Sequence, residues 1–462
     1  MAQLRATGHQ LRTVKEEMRE NLLTALRGGE DAFPGIIGFG QTVLPQLERA
    51  IIAGHDVILL GERGQGKTRL IRTLTLLLDE WTPVVAGCEI NDHPYAPACA
   101  RCLRLSAELG DEVPISWRRR DERYGEKLAT PDTSVGDLVG DIDPVKVAEG
   151  RTLGDPETIH FGLVPRTNRG IFCLNELPDL AERIQVALLN VLEERDIGVR
   201  GYSLRLPLDL VLVASANPED YTNRGRIITP LKDRFGAEIR THYPVSLEAE
   251  LALIHQEAQL SWGAASAPGA VLPEHLVQVI ARFTRLVRAS PAVDSRSGVS
   301  ARFAIAAAEA VAASAVRRAA ISGEDQAVAR VCDLPATIST LRGKVEFEVS
   351  EEGREQEVLD HLLRRATAET FRATLGNADL SGLLTRFAEG GAVETGDLLA
   401  ATDLLRRIGE VQGLAKIMER LHMEGGESFG EAAAALEFAM EGLYLMRRLS
   451  KDALDGGAVY RT

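Results

Sequence analysis

The segment that most constrains this chain is an apolar run, Val57 to Leu60, that breaks into Gly61, Glu62, Arg63, Gly64, Gln65, Gly66, Lys67 and Thr68 before apolar residues resume at Leu70 and Ile71. A strand entering a glycine loop that opens a helix is the setting in which G-x-x-x-x-G-K-[ST] is specific. Glycines let backbone N–H groups close around phosphate oxygens, and the helix start adds the positive end of its dipole. Lys67 then reaches the β- and γ-phosphates, and Thr68 ligates Mg²⁺. Residues 61–68 are therefore expected to hold ATP with Mg²⁺, inside a mostly parallel α/β sheet.

A second apolar run, Gly170 to Leu174, ends in Asn175 and Glu176. In such a site the last carboxylate polarises the attacking water, and the residue before it orients the hydration shell of Mg²⁺. Glu176 fits the first role. Asn175 stands where an acid is usual; an amide can bond a metal-bound water but adds no charge, so binding is expected and rapid turnover is left open. A third run from Leu210 ends at Asn217, where Pro218 cannot continue a ladder. Asn217 is placed to hold the water or the γ-phosphate. After Pro230 comes Arg234 beside Asp233. In isolation that arginine reads as a surface ion pair. In this order it reads as an arginine supplied in trans to a neighbouring subunit's site.

The organisation along the chain agrees. Residues 1–30 read as an amphipathic lead helix, with Leu11, Val14, Met18, Leu22 and Leu26 near helical spacing and an end at Gly28 and Gly29. Residues 31–245 read as the nucleotide-binding core, with insertions at 88–102 and 117–150. Alanine- and leucine-rich segments then suggest a helical lid over 246–370 and a helical C-terminal region over 371–462. Lys344 to Ser350 alternates, as a short strand or a helix lead-in would.

Together these residues resemble the magnesium-chelatase I subunit and MoxR branch of AAA+ ATPases, over about residues 33–310. Residues 33–41 resemble the opening segment of that family, and 135–143 with Glu149 and Gly150 its helix-2 insert. Residues 168–176 are similar to its Walker B strand, and 188–194 with 197–206 to its helix and hairpin before sensor 1. Residues 215–219 are similar to sensor 1, 231–236 to the arginine-finger segment, and 297–302, with Arg302, to sensor 2. The resemblance implies an oligomeric ring, a hexamer, with ATP between subunits. It also implies a partner carrying a von Willebrand A domain and a role in metal insertion or protein maturation.

Cys88, His93, Cys99 and Cys102 could form a closed, structural Cys₃His zinc site within the first insertion. Three reduced thiols in a surface loop is the plainer alternative. The run from Trp117 to Tyr124 mixes arginines with acids, and is expected to be a solvated face or a subunit contact. A net charge of −14 argues against a duplex-DNA binder, and five cysteines in 462 residues against a disulfide framework. No secretion signal or eighteen-residue apolar stretch is present, so the cytoplasm is the expected compartment. Two other readings remain at this level. One is a nucleic-acid-dependent motor, although the Gly-Ala-Phe-Thr-Gly-Ala loop of σ54 activators is absent. The other is a nucleotide-gated scaffold with little turnover.

Overall fold

The computed structural model describes residues 1–149, 158–193, 197–199, 202–204, 206–217, 226–261, 269–294, 298–389, 391–423, 428–454 and 456–462. Of the residues quoted above, 150, 194, 200–201, 205, 218–219 and 297 lie outside that set. The chain forms two compact units, Met1–His242 and Tyr243–Thr462.

The first unit is built on five parallel strands: β1 (Val57–Leu60), β2 (Tyr124–Leu128), β3 (Gly170–Asn175), β4 (Leu210–Ala216) and β5 (Ala237–Arg240). Their spatial order is β5-β1-β4-β3-β2. Strands β1, β3 and β4 are buried along their whole length, which is why they read as unbroken apolar runs. Alternate residues feed two cores. Val57, Leu59, Ile171, Cys173, Val211 and Val213 pack on one side, and Ile58, Leu60, Phe172, Leu174, Leu212 and Ala214 on the other. The register sets Leu60 beside Ala216 and Ala214 beside Leu174. Because all strands run the same way, the glycine loop, Asn175 with Glu176, and Asn217 leave the sheet at one edge.

Helix Val14–Gly28 starts with a capping box between Thr13 and Glu16 and stops at Gly29 in the left-handed region. It buries Val14, Met18 and Leu22 in the first of those cores and leaves Leu26 exposed; Leu11 lies outside it, since the lead expected as one helix over 1–30 is two, Ala2–Ala6 and Val14–Gly28. Its Glu17, also buried, accepts two hydrogen bonds of 2.7 Å each from Arg123.

That pair corrects the expectation for the run ending at Tyr124 at one residue only, since Arg119, Asp121 and Glu122 are exposed as a solvated face would be. Trp117 is exposed, but Arg123 is 1% exposed and structural rather than part of a solvated face. The segment taken as an insertion over 117–150 likewise supplies β2, the edge strand of the central sheet. Only Gly125 of that strand is fully buried, so no apolar run announced it.

The second unit packs helices Leu247–Glu257, Glu274–Arg288, Ala301–Ser322, Glu355–Thr374 and Phe429–Leu445 around one apolar cluster reaching from Ile254 to Tyr460. Its end departs from the helical region expected over 371–462. Val393–Gly396, Gly457–Arg461 and Ser450–Leu454 form a three-stranded antiparallel sheet with Gly457–Arg461 in the middle. Ser450–Leu454 is mostly exposed and carries Lys451 and Asp452, a pattern with no buried face to read. Around Lys344 to Ser350 there is a single bridge, Phe347 to Val293, and a 3₁₀ turn at Val349–Glu351. Among the described residues no helix is long and apolar enough to cross a membrane.

Candidate nucleotide site

At the C-terminal edge of the sheet, Gly64 and Gly66 adopt φ of 71° and 77°, a left-handed conformation that glycine reaches without strain. Gly61 has a different constraint: a Cβ there would run into the Thr241 hydroxyl and the Gln65 side chain. Thr241 also donates to Gln65 Oε1 at 2.7 Å, which ties the loop to the residue following β5. Helix Lys67–Thr73 begins directly after the loop.

Lys67 is buried, and its Nζ donates to the carbonyls of Gly61 and Glu62 and, at 2.8 Å, to Asn217 Oδ1. Asn217 Nδ2 in turn donates to Glu176 Oε2 at 2.9 Å. Residues following β1, β4 and β3 are therefore linked side chain to side chain. Glu62 and Thr68 are half-buried, and Arg63 is exposed. Glu176 sits at φ 56°, and its amide donates to Ser215 Oγ at 3.3 Å.

Asn175 is held at both ends of its amide by neighbours. Its Oδ1 accepts from Ser215 Oγ at 3.1 Å, and its Nδ2 donates to Glu126 Oε1 at 2.6 Å. The amide orientation follows from the partners, since only the NH₂ can face a carboxylate. Glu126 lies on β2 and is held from the other side by Arg72, with Nε and Nη2 at 3.0 and 2.9 Å from Oε2. Below Asn175, burial pushes the Cys173 thiol up to about 12.

Arg234 ends the short helix Thr229–Arg234 and is exposed, as is Asp233. The buried Gln185 fixes the approach to that helix, donating to Arg226 O at 3.0 Å and accepting from Ile228 N at 2.9 Å. Arg302 lies in the second unit, in the first turn of Ala301–Ser322, whose cap is Ser300.

The thiols of Cys88, Cys99 and Cys102 do come together, but with Asp92: their ligand atoms all lie within 4.8 Å of one another. His93 is the correction. Its Nε2 faces His9 Nε2 at 3.1 Å and its Nδ1 accepts from Tyr95 N at 3.0 Å. Burial, with Arg169 and His9 nearby, holds its pKa down to about 3.

A magnesium-chelatase 38 kDa subunit from Cereibacter sphaeroides is 30% identical over 244 residues, covering 50% of this chain and 67% of that protein. The chain belongs to the magnesium-chelatase I-subunit family of AAA+ proteins. Magnesium-chelatase subunit ChlI of a Nostoc species is 32% identical over 227 residues, 47% of this chain and 57% of the relative. The match thus spans little more than half the length of several such relatives. A sigma-54 interaction domain model matches residues 152–234, the stretch carrying Glu176, Asn217 and Arg234. A solved complex of subunits BchI and BchD of magnesium chelatase is similar at 20% identity over 71% of this chain and 98% of that one. Its TM-score of 0.38 is too low to add to the assignment.

In this chelatase-like AAA+ chain, sequence reasoning missed Glu126 and Asp92. Glu126 is one charged residue in a polar edge strand and carries no sequence signal of its own; its place follows from the register, which pairs it with Cys173, two residues before Asn175. Asp92 was hidden by the adjacent histidine, the more familiar ligand.

Proposed function

We propose that this chain binds ATP with Mg²⁺ at residues 61–68 and hydrolyses it in a ring of its own copies, in the cytoplasm, to remodel a protein partner or assist metal insertion. The observation that carries the reading is the linkage Lys67–Asn217–Glu176, with steps of 2.8 and 2.9 Å. The loop fits a polyphosphate. Two glycines hold left-handed backbone conformations of the kind phosphate-binding loops use, and Lys67 already sits among oxygen acceptors of the kind phosphates offer. Bound ATP and Mg²⁺ would supply the γ-phosphoryl group and the charge that makes it electrophilic. Lys67 and the loop amides would hold the phosphates and Thr68 the metal. Glu176 would accept the proton of the attacking water, kept in position by Asn217. Glu126 would restore, through Asn175, the negative charge that the amide lacks. Arg234, exposed at the end of its helix, is suited to reach a neighbour's site, and the family resemblance gives Arg302 the part of the sensor 2 arginine. A partner with a von Willebrand A domain follows from the family resemblance.

Turnover tests this. Glu176→Gln is expected to lower ATP hydrolysis about a hundredfold or more with nucleotide affinity intact, and Lys67→Ala to abolish binding. Mixing Glu176→Gln with Arg234→Ala should recover part of the activity, because each supplies what the other's site lacks. Wild-type turnover equal to that of Glu176→Gln would refute the motor and leave a nucleotide-gated scaffold.

A further inference from the structure

We infer that Cys88, Asp92, Cys99 and Cys102 form a Cys₃Asp site for a single tetrahedral Zn²⁺ ion. Cys88 and Cys99 Sγ lie 3.9 Å apart. That is far beyond the ~2.05 Å of a disulfide. It is close to the ~3.8 Å edge of a tetrahedron with metal–sulfur arms of ~2.3 Å. With all four ligand atoms within 4.8 Å of one another, the space suits one ion and not a multi-iron cluster, whose cysteines stand on separate metals.

Asp92 supplies the second, independent observation. It is 1% exposed, and its Oδ2 is engaged by the amides of Ala98 and Cys99 at 3.0 and 2.8 Å. Its Oδ1 is buried and has no hydrogen-bond partner among the described residues. A buried carboxylate oxygen left bare is costly unless something positive meets it. The sulfurs are prepared in the same sense. Asp92 N–H donates to Cys88 Sγ and Cys102 N–H to Cys99 Sγ, both at 3.3 Å, contacts that favour thiolate.

The ion would be structural, since four protein ligands leave no open position. It would join the turn after strand Trp81–Val85 to the first turn of helix Ala100–Leu109, which Cys99 caps. The loop between them reaches the sheet. Asn91 donates to Arg166 O at 2.7 Å, and Ile90 O accepts from Asn168 at 3.0 Å, while Asn168 Oδ1 accepts from Asp209 N at 2.8 Å. The site would thus fasten the segments that enter β3 and β4.

Metal analysis of the full chain, purified without chelator or added metal, tests the assignment. About one equivalent of zinc is expected in wild type and in His93→Gln, and under about a tenth in Cys99→Ser and Cys102→Ser. Asp92→Cys should keep zinc and, with Co²⁺ in its place, shift the cobalt spectrum from three thiolates to four. Less than about a tenth of an equivalent in wild type, or iron with acid-labile sulfide instead of zinc, would overturn the proposal. Loss of zinc in His93→Gln, with the fold intact by circular dichroism, would overturn the choice of Asp92.

Discussion

Replacing Asn175 by aspartate would rebuild the usual acid pair at the end of β3, yet the structure argues that this change alone is harmful. Asn175 Nδ2 lies 2.6 Å from Glu126 Oε1. Two unit charges about 3 Å apart repel by about 5 kcal/mol at an effective dielectric of about 20. One proton held between the two acids avoids that repulsion. At pH 7.5, protonating an acid of ordinary pKa near 4 costs about 5 kcal/mol, at about 1.4 kcal/mol per unit. The acid–carboxylate hydrogen bond so formed only replaces the charge-assisted one that the amide already makes. Asn175→Asp should therefore lose about 5 kcal/mol of stability at pH 7.5, with no gain in turnover. The raised folded-state pKa fixes the sign with pH: the penalty is present above the unfolded value and fades as pH falls towards it, so little should remain at pH 5. Glu126→Gln with Asn175→Asp exchanges acid and amide across the same contact, and should recover the stability and hydrolyse ATP at least as fast as wild type. Urea unfolding at both pH values, on wild type, both single variants and the double, gives the coupling. Additivity within about 0.5 kcal/mol would refute the reasoning. So would a single Asn175→Asp variant as stable as wild type and faster.

Three further outcomes follow from the structure. Glu17→Ala leaves the buried Arg123 guanidinium and the Asp79 amide, now bonded at 2.6 Å, without their acceptor; it should cost about 3–5 kcal/mol by urea denaturation, and clearly less when Arg123→Met is added. His275 is wholly buried, and burial holds its pKa down to about 3. The unfolded chain takes up a proton near pH 6.5 that the fold refuses, so stability is lost as pH falls below that value. Wild type should lose about 2 kcal/mol more than His275→Leu between pH 7.5 and 5. Gly61→Ala should weaken ATP binding at least about tenfold in a fluorescent-nucleotide titration, because its methyl displaces Gln65 or Thr241; unchanged affinity would show that the loop yields freely.

The strands that carry the candidate site were legible because burial on both faces writes itself as an apolar run. β1, β3 and β4 each announced themselves, and the residues that end the runs, Gly61, Asn175 and Asn217, marked the site edge. β2 was not legible, since an edge strand of Tyr124, Gly125, Glu126 and Lys127 has no such run, and Glu126 was lost with it. Arg123 misled for a related reason: its partner Glu17 lies 106 positions away, beyond the reach of local pattern. The cysteines pointed to one another correctly, whereas the fourth member depended on which of two adjacent side chains turned inward. Only the path of the loop settles that for Asp92. The small C-terminal sheet escaped because its strands are short and Ser450–Leu454 is largely exposed.

The left-handed backbone at Glu176 sets a trap for anyone improving this protein. A side chain with a Cβ pays roughly 1 kcal/mol to sit at φ 56°, and glycine does not. A library screened only for heat resistance should therefore enrich glycine at position 176, trading the proposed base for a more relaxed turn. Thermal selection and selection for ATP-driven work would pull that one codon in opposite directions.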